Sequence, residues 1–183
     1  MNKPRVTNIL KAGGLINFDM VPKDILDRAC AFGSAVHLAT QLDDLGTLDI
    51  NSVDSSIMGY LESWRKFCKD YDLSFTKDEI EHRYTSKRGF TGMPDRISKA
   101  KGLLLDIKTG SGVYHSVDIQ TAAYQILAEE NGIKIKKRMC VQLMENRYKI
   151  YPLTETSDKS VFLSCLNIYN FKKRHNMLDK RVT

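Results

Sequence analysis

The spacing of apolar residues is helical in the first part of the chain. Residues 5–12, 22–42 and 54–71 form three segments that this pattern predicts to be helices. The two longer segments carry the apolar stripes Ile25, Ala29, Phe32, Val36 and Ala39, and Ile57, Tyr60, Leu61, Trp64, Cys68 and Tyr71. We expect the aromatic face of the third helix to be core rather than a base-stacking surface, and we assign residues 1–73 to a mainly helical N-terminal region.

Residues 74–183 combine the period of a sheet with that of helices. Strands are predicted at 79–84, 90–97, 103–108, 138–144 and 147–152. Helices are predicted from Ser116 to Gly132 and from Asp158 to His175, with the inward faces Ile119, Ala122, Ala123, Ile126 and Leu127, and Val161, Cys165, Leu166 and Tyr169. The whole pattern predicts one α/β domain over residues 1–183, in which helices flank a mixed sheet.

Composition restricts the classes of function. The formal net charge of +6 suits a polyanionic partner such as a nucleic acid. We expect a cytoplasmic protein with no membrane span, because the chain has no long apolar run and no signal-peptide pattern at its N-terminus. Its cysteines, Cys30, Cys68, Cys140 and Cys165, form no Cys-x-x-Cys pair, which argues against a zinc site or a disulfide framework.

A carboxylate and an ammonium group stand together at the end of the apolar strand 103–108. Side chains alternate faces along a strand, so Asp106 and Lys108 point the same way, roughly 7 Å apart. Leu103, Leu105 and Ile107 point the other way, into a core. This pair of charges at the end of a buried strand is a candidate functional site.

A second carboxylate is expected beside the first. Residues 90–97 alternate, and Pro94 indicates a bulge or an edge there because proline cannot donate a ladder hydrogen bond. The polar turn 99–102 then predicts a hairpin that brings Asp95 near Asp106. Two close carboxylates repel unless a cation separates them. Oxygen ligands of this kind suit Mg²⁺ or Mn²⁺.

His37 has two interpretations. Gly33 lies one turn before it on the same helix face and would let another segment approach closely. Taken alone, His37 is most simply a core histidine that is hydrogen-bonded to a backbone carbonyl. With carboxylates nearby it becomes a candidate metal ligand.

Two further pairs of polar side chains also have a structural and a functional interpretation. Gln120 and Tyr124 lie four apart on a predicted helix and point together, either by coincidence or to hold a phosphate. On the strand 79–84, Ile80, His82 and Tyr84 are expected on one face, with Glu79, Glu81 and Arg83 on the other. Glu81 is then either a solvated partner of Arg83 or part of the metal site.

The ordered set of these residues resembles the PD-(D/E)XK nucleases. Pro94-Asp95, ten intervening residues and Asp106-Ile107-Lys108 match the motif of that superfamily, and Gln120-x-x-x-Tyr124 resembles its RecB-like exonuclease branch. The segment 106–110, DIKTG, and the helical Gly33-x-x-x-His37 resemble two more motifs of the branch. The resemblance covers nearly the whole chain and is closest to small exonucleases that bacteriophages encode.

The resemblance implies a restriction-endonuclease-like α-β-β-β-α-β core and a set of roles. His37, Asp95, Asp106 and the Ile107 carbonyl would hold Mg²⁺ or Mn²⁺, as one or two ions. Glu81 would assist, because it precedes Gly92 by the family's usual eleven residues. Lys108 would orient the attacking water and offset charge, and Gln120 and Tyr124 would contact DNA and support Lys108. The scattered cysteines argue against the iron–sulfur cluster of some relatives.

Further DNA contacts are predicted at four positions. Lys87 and Arg88 form a basic turn that either touches phosphate or is simply solvated. Arg96 and Thr109 are adjacent to the predicted catalytic motifs. The basic residues Lys172, Lys173, Arg174, His175, Lys180 and Arg181 either offset a helix dipole or line the DNA path.

The sequence therefore predicts a metal-dependent DNA exonuclease that acts on DNA with a free end, in phage replication, recombination or repair. Two alternatives remain open. One is a structure-specific endonuclease or junction resolvase with the same site, and the other is an inactive nucleic-acid-binding module. The sequence leaves the oligomeric state, a phage replication or recombination partner, the polarity and the choice between single and double strands open.

Overall fold

The computed structural model of the chain describes residues 3–110 and 112–179. The helices within these ranges are α1 (Val6–Ala12), α2 (Lys23–Asp44), α3 (Ser55–Asp70), α4 (Ser116–Glu130) and α5 (Asp158–Arg174). The strands are β1 (Tyr84–Thr85), β2 (Thr91–Gly92), β3 (Arg96–Ser98), β4 (Leu103–Lys108), β5 (Lys137–Met144) and β6 (Arg147–Pro152).

Four of these strands form a mixed sheet in the order β3-β4-β5-β6. The β3–β4 and β5–β6 pairs are antiparallel, whereas β4 and β5 are parallel, with Lys108 opposite Gln142. Parallel neighbours need a long crossover, and α4 supplies it. Strands β1 and β2 form a separate short hairpin. The predicted mixed sheet with flanking helices is confirmed.

The two faces of the sheet are covered by different helices. On one face, Leu104 and Ile97 pack with α1, α4 and α5. On the other face, Leu105 and Ile107 pack with Trp64 of α3 and with the second half of α2. Trp64 is fully buried, so the aromatic face of α3 is core, as predicted. Tyr71, at the end of that stripe, is exposed instead.

The N-terminal helix α1 is packed against the later part of the chain. It contacts α4 and α5, and Lys172 near the end of α5 donates a hydrogen bond to the Ala12 carbonyl at 2.7 Å. This contact satisfies a carbonyl at the end of α1, which accounts for one residue of the basic stretch at the end of α5. Lys180 and Arg181, for which the same two interpretations were open, lie outside the described residues.

The predicted strand 79–84 is wrong. Lys77–Glu79 is a 3₁₀ turn, and Glu81 has a positive φ of 44°. The Glu79 side chain accepts hydrogen bonds from Thr76 N (2.9 Å) and Lys99 N (2.7 Å), which bends the chain away from an extended path. Consequently Ile80 and Tyr84 lie in the cores on opposite faces of the sheet, and His82 is exposed.

Three other expectations also need correction. The predicted strand 90–97 is broken at Pro94 into β2 and β3, which belong to different sheets. The apolar stripe of α2 is buried only in its second half: Ile25 and Ala29 are exposed, and burial begins at Val36. Phe32, the next residue of that stripe, is half-buried and packs edge-on against Tyr60 of α3. Val161, expected inward on α5, is 37% exposed.

Within the described ranges, the helices include none with the length and apolarity that a membrane crossing requires.

Candidate metal centre

The candidate site is built at the end of β4. Asp106 and Lys108 lie on the same face of the strand, as the alternation predicts, and Lys108 Nζ is 2.6 Å from Asp106 Oδ2. The Asp106 side chain is 1% exposed and that of Lys108 is 32% exposed. A charged pair is thus placed where the strand leaves the sheet.

Asp95 is fixed against the end of β4. It lies between the break at Pro94 and the start of β3. Its Oδ2 accepts a hydrogen bond from Ile107 N at 2.6 Å, and its main-chain carbonyl accepts from Glu81 N at 3.0 Å. The predicted β3–β4 hairpin therefore brings Asp95 to the strand that carries Asp106, and its Oδ1 remains available on the other side.

His37 faces this free oxygen from α2. Its Nδ1 lies 3.6 Å from Asp95 Oδ1 and 3.8 Å from Glu81 Oε1, and its Nε2 lies 3.1 Å from the Ile107 carbonyl oxygen. The end of β4 runs beside α2 at Gly33, but a Cβ there would stand 3.4 Å from Thr109 Oγ1, which is an ordinary contact, so the approach does not require a glycine. The structure contains the contacts expected from both interpretations of His37. Nε2 lies at hydrogen-bond distance from a backbone carbonyl, and Nδ1 faces two carboxylates.

The bend at residues 77–81 decides which glutamate joins the site. Glu79 is buried and its carboxylate is used by Thr76 and Lys99, so it is structural. Glu81 is turned by its left-handed backbone toward His37 and Asp95. One possible ligand atom from each of His37, Glu81 and Asp95 falls within 4.8 Å of the others. We call these three residues the His–Glu–Asp cluster.

Asp106 lies beside this cluster rather than in it. Its Oδ2 is paired with the Lys108 ammonium, whereas its buried Oδ1 has no hydrogen-bond donor among the described residues. Burial raises the pKa of this carboxyl, and Lys108 opposes that shift. A buried oxygen without a donor is unusual and calls for a positive partner. Together with the imidazole and carboxylates of the cluster, this arrangement could hold a metal cation.

The electrostatics favour the charged forms of the basic groups of the site. Burial by itself lowers the pKa of Lys108, but the Asp106 and Asp95 carboxylates outweigh it and the net shift is upward. The pKa of His37 is raised in the same way, because Asp95 and Glu81 outweigh its burial. At neutral pH Lys108 is therefore an ammonium group that can donate hydrogen bonds and offset charge, but cannot accept a proton.

Gln120 and Tyr124 meet as their spacing predicts, since Gln120 Nε2 donates to Tyr124 Oη at 2.9 Å. Tyr124 is only 6% exposed, and burial and the nearby Asp106 carboxylate raise the pKa of its phenol. A Cβ on Gly92 would stand 2.8 Å from its ring, so a glycine is needed for this approach. The half-buried Gln120 is accessible enough for a direct DNA contact. Tyr124 is buried, so its role is to hold the Gln120 side chain through this hydrogen bond.

The structure contradicts the predicted DNA contact of Arg96. This side chain is fully buried and is hydrogen-bonded within the protein, so it has no surface for a phosphate. Arg88 is paired with Glu130, and Lys87 N is bonded to the same carboxylate. Neither Lys87 nor Arg88 lines the cleft described below, and Glu130 is ten positions after Gln120 on α4, about 15 Å along the helix. Thr109 is half-buried at the cleft.

A cleft of about 550 Å³ opens over the His–Glu–Asp cluster. Of the predicted site residues, Asp106, Gln120 and Tyr124 do not line it. Its lining consists of His37, Glu81, Asp95, Ile107, Lys108 and Thr109, with Cys30, Gly33, Ser34, Leu38 and Gln41 of α2, Met93 and Gly110. Cys30, Ser34, Leu38 and Gln41 were not predicted to line a site. The helical spacing from His37 contains this information, because Cys30, Ser34 and Gln41 lie seven, three and four positions away on its face.

Comparisons with known proteins support the fold. No protein-family model and no curated protein matches this chain. Among solved structures, the chain is similar to a protein of Eubacterium rectale that is provisionally described as an exonuclease. The TM-score is 0.51, and the match covers 93% of this chain and 74% of the other at 11% sequence identity. At this identity the likeness shows that the two proteins share a fold.

Proposed function

We propose that this chain is a divalent-metal-dependent nuclease of the RecB-like PD-(D/E)XK type, which hydrolyses DNA from a free end. The observation that carries the proposal is the convergence of His37, Glu81 and Asp95 beside the buried Asp106–Lys108 pair. The shared fold with a provisionally described exonuclease supports it. The ordered set of motifs also supports the proposal, because four separate segments, which carry His37, Glu81, Asp95 and Lys108, line one cleft.

The site offers ligands for one hard cation. His37, Glu81 and Asp95 would hold the ion, with Asp106 at its side and the Ile107 carbonyl adjoining. Glu81 thus has a more central role than the resemblance implies. When bound, such an ion polarises a phosphate and lowers the pKa of a water molecule.

The protein's own groups bind and orient the substrate. Lys108 is an ammonium group on the same face as Asp106, so it can hold a non-bridging phosphate oxygen and offset the charge that develops on it. One N–H of the Gln120 amide is used by Tyr124, which leaves its second N–H for the DNA backbone. Contacts of this kind recognise phosphate and not sequence.

Hydrolysis of end-labelled linear DNA beside a covalently closed circle tests this function. We expect Mg²⁺- or Mn²⁺-dependent loss of the linear DNA only, no loss with a chelator, and no loss with Asp106→Asn. The matched control Asp72→Asn, an exposed carboxylate paired with Lys101, should degrade DNA like the wild type.

Each other outcome has a definite meaning. Cutting of the closed circle would replace the exonuclease by an endonuclease or junction resolvase that uses the same site. Absence of hydrolysis on single- and double-stranded DNA, with metal present, would contradict the proposed activity. If the chain still bound DNA, it would be a nucleic-acid-binding module.

A further inference from the structure

Arg96 occupies the centre of a buried hydrogen-bond network. It is the first residue of β3 and has no exposed surface. Its Nε donates to Asp44 Oδ2 at 2.7 Å, its Nη1 to the Asp95 carbonyl oxygen at 2.7 Å and its Nη2 to Thr40 Oγ1 at 3.3 Å. The guanidinium also lies over the Trp64 ring, 5.4 Å from its centroid. These contacts fix both its position and its orientation.

Each residue of the His–Glu–Asp cluster is connected to this guanidinium. Asp95 is bonded to it directly through its carbonyl. His37 is connected through Thr40, whose hydroxyl donates to the His37 carbonyl at 2.9 Å. Glu81 is connected through the same carbonyl, to which its N–H donates at 3.0 Å. The main-chain β-bridge between Ile80 and Arg96 also holds this segment beside β3, but it does not involve the guanidinium.

We infer that Arg96 is a positioning residue that sets the spacing of His37, Glu81 and Asp95 and thereby the affinity of the site for a divalent cation. The inference rests on the proposed function. His37 lies on α2, Glu81 in a turn and Asp95 in the segment between β2 and β3, so no single helix or strand holds them together. A planar guanidinium with donors in fixed directions can do so, and a lysine ammonium cannot reproduce that geometry.

The buried charge itself argues against a purely stabilising role. A buried ion pair often contributes little net stability, because desolvation offsets the attraction. The Arg96–Asp44 pair is 0% and 10% exposed in its side chains, so it bears that cost. Of the three acceptors of Arg96, the Asp95 carbonyl belongs to the cluster, and Thr40 is hydrogen-bonded to the cluster residue His37. Most of its hydrogen bonds are therefore directed to the metal site.

Mn²⁺ binding by Arg96→Lys in the absence of DNA tests the inference. The electron paramagnetic resonance signal of free Mn²⁺ gives the dissociation constant without any measurement of activity. We expect Arg96→Lys to bind Mn²⁺ about 10- to 100-fold more weakly than the wild type, the range found when outer-shell partners of metal ligands are changed.

Arg138→Lys is the matched control. Arg138 is also buried, and it is bonded to the Asp118 and Glu155 carbonyls, Thr121 and Asp158, none of which belongs to the cluster. Both variants should lower the melting temperature to a similar degree, and only Arg96→Lys should weaken Mn²⁺ binding. Thr40→Val, a milder change with the same shape, should weaken it by about threefold through loss of the link to His37.

The outcomes separate this inference from the proposed function. Wild-type affinity in both Arg96→Lys and Thr40→Val would overturn the positioning role, as would an equal loss in Arg138→Lys. Failure of the wild type itself to bind Mn²⁺ would overturn the metal centre, and the positioning role with it. If Arg96→Lys does not fold, the comparison of Thr40→Val with the wild type decides.

Discussion

Asp95→Asn is expected to abolish metal-dependent DNA hydrolysis and to weaken Mn²⁺ binding by more than about 100-fold. Asp95 Oδ1 faces His37 and is a negatively charged oxygen of the cluster, whereas Oδ2 accepts from Ile107 N. The asparagine oxygen can still accept that N–H, so the β3–β4 hairpin keeps its contact and the fold should persist. Calorimetric Mn²⁺ titration and a nuclease assay check the two effects separately.

Asp78→Asn is the matched control for this substitution. Asp78 is an exposed carboxylate that pairs with Lys99 and Thr76, away from the cleft. Its replacement should change neither Mn²⁺ binding nor hydrolysis. Wild-type metal affinity in Asp95→Asn would contradict the assignment of the cluster.

Lys108→Ala is expected to slow hydrolysis by about 10²- to 10³-fold, the usual effect of removing one donor that stabilises developing charge. Metal binding should persist, because the cluster does not contain Lys108. Removal of the ammonium leaves the buried Asp106 carboxylate without its ion-pair partner. The free energy of unfolding of the variant should therefore depend on a bound cation. The rate constant at saturating Mn²⁺ and the melting temperature with and without Mn²⁺ are the measurements.

Lys101→Ala provides the comparison. Lys101 lies in the turn before β4, at the opposite end of that strand from the site. Its ammonium donates hydrogen bonds to the Tyr71 carbonyl and the Asp72 carboxylate. Its removal should leave the rate unchanged. A Lys108→Ala variant that cleaves DNA within threefold of the wild type would show that this lysine has no catalytic role.

Local periodicity predicted the parts of the site that lie on regular elements. The alternation of β4 placed Asp106 and Lys108 on one face, and the helical spacing placed Gln120 beside Tyr124. These predictions succeed because neighbouring side chains in a strand or helix have fixed relative directions. The hairpin that brings Asp95 to β4 was likewise readable, from Pro94 and the polar turn that follows.

Tertiary contacts decided what local patterns could not. Arg96 was expected at the surface, but its charge is matched by Asp44, fifty-two positions earlier in the chain. The apolar stripe of α2 does not reveal that Ile25 and Ala29 remain exposed. One missed feature was visible in the sequence: Thr76-x-x-Glu79 is a capping-box pattern, and it predicts the turn that replaces the expected strand.

The anomalous difference map of a crystal soaked in Mn²⁺ is the most direct test of the central claim. The account predicts a peak bounded by His37, Glu81 and Asp95, next to Asp106 at the end of β4, and no such peak in Asp95→Asn crystals. A map from wild-type crystals at saturating Mn²⁺ with no peak at this cluster, or with a peak only elsewhere, would contradict it.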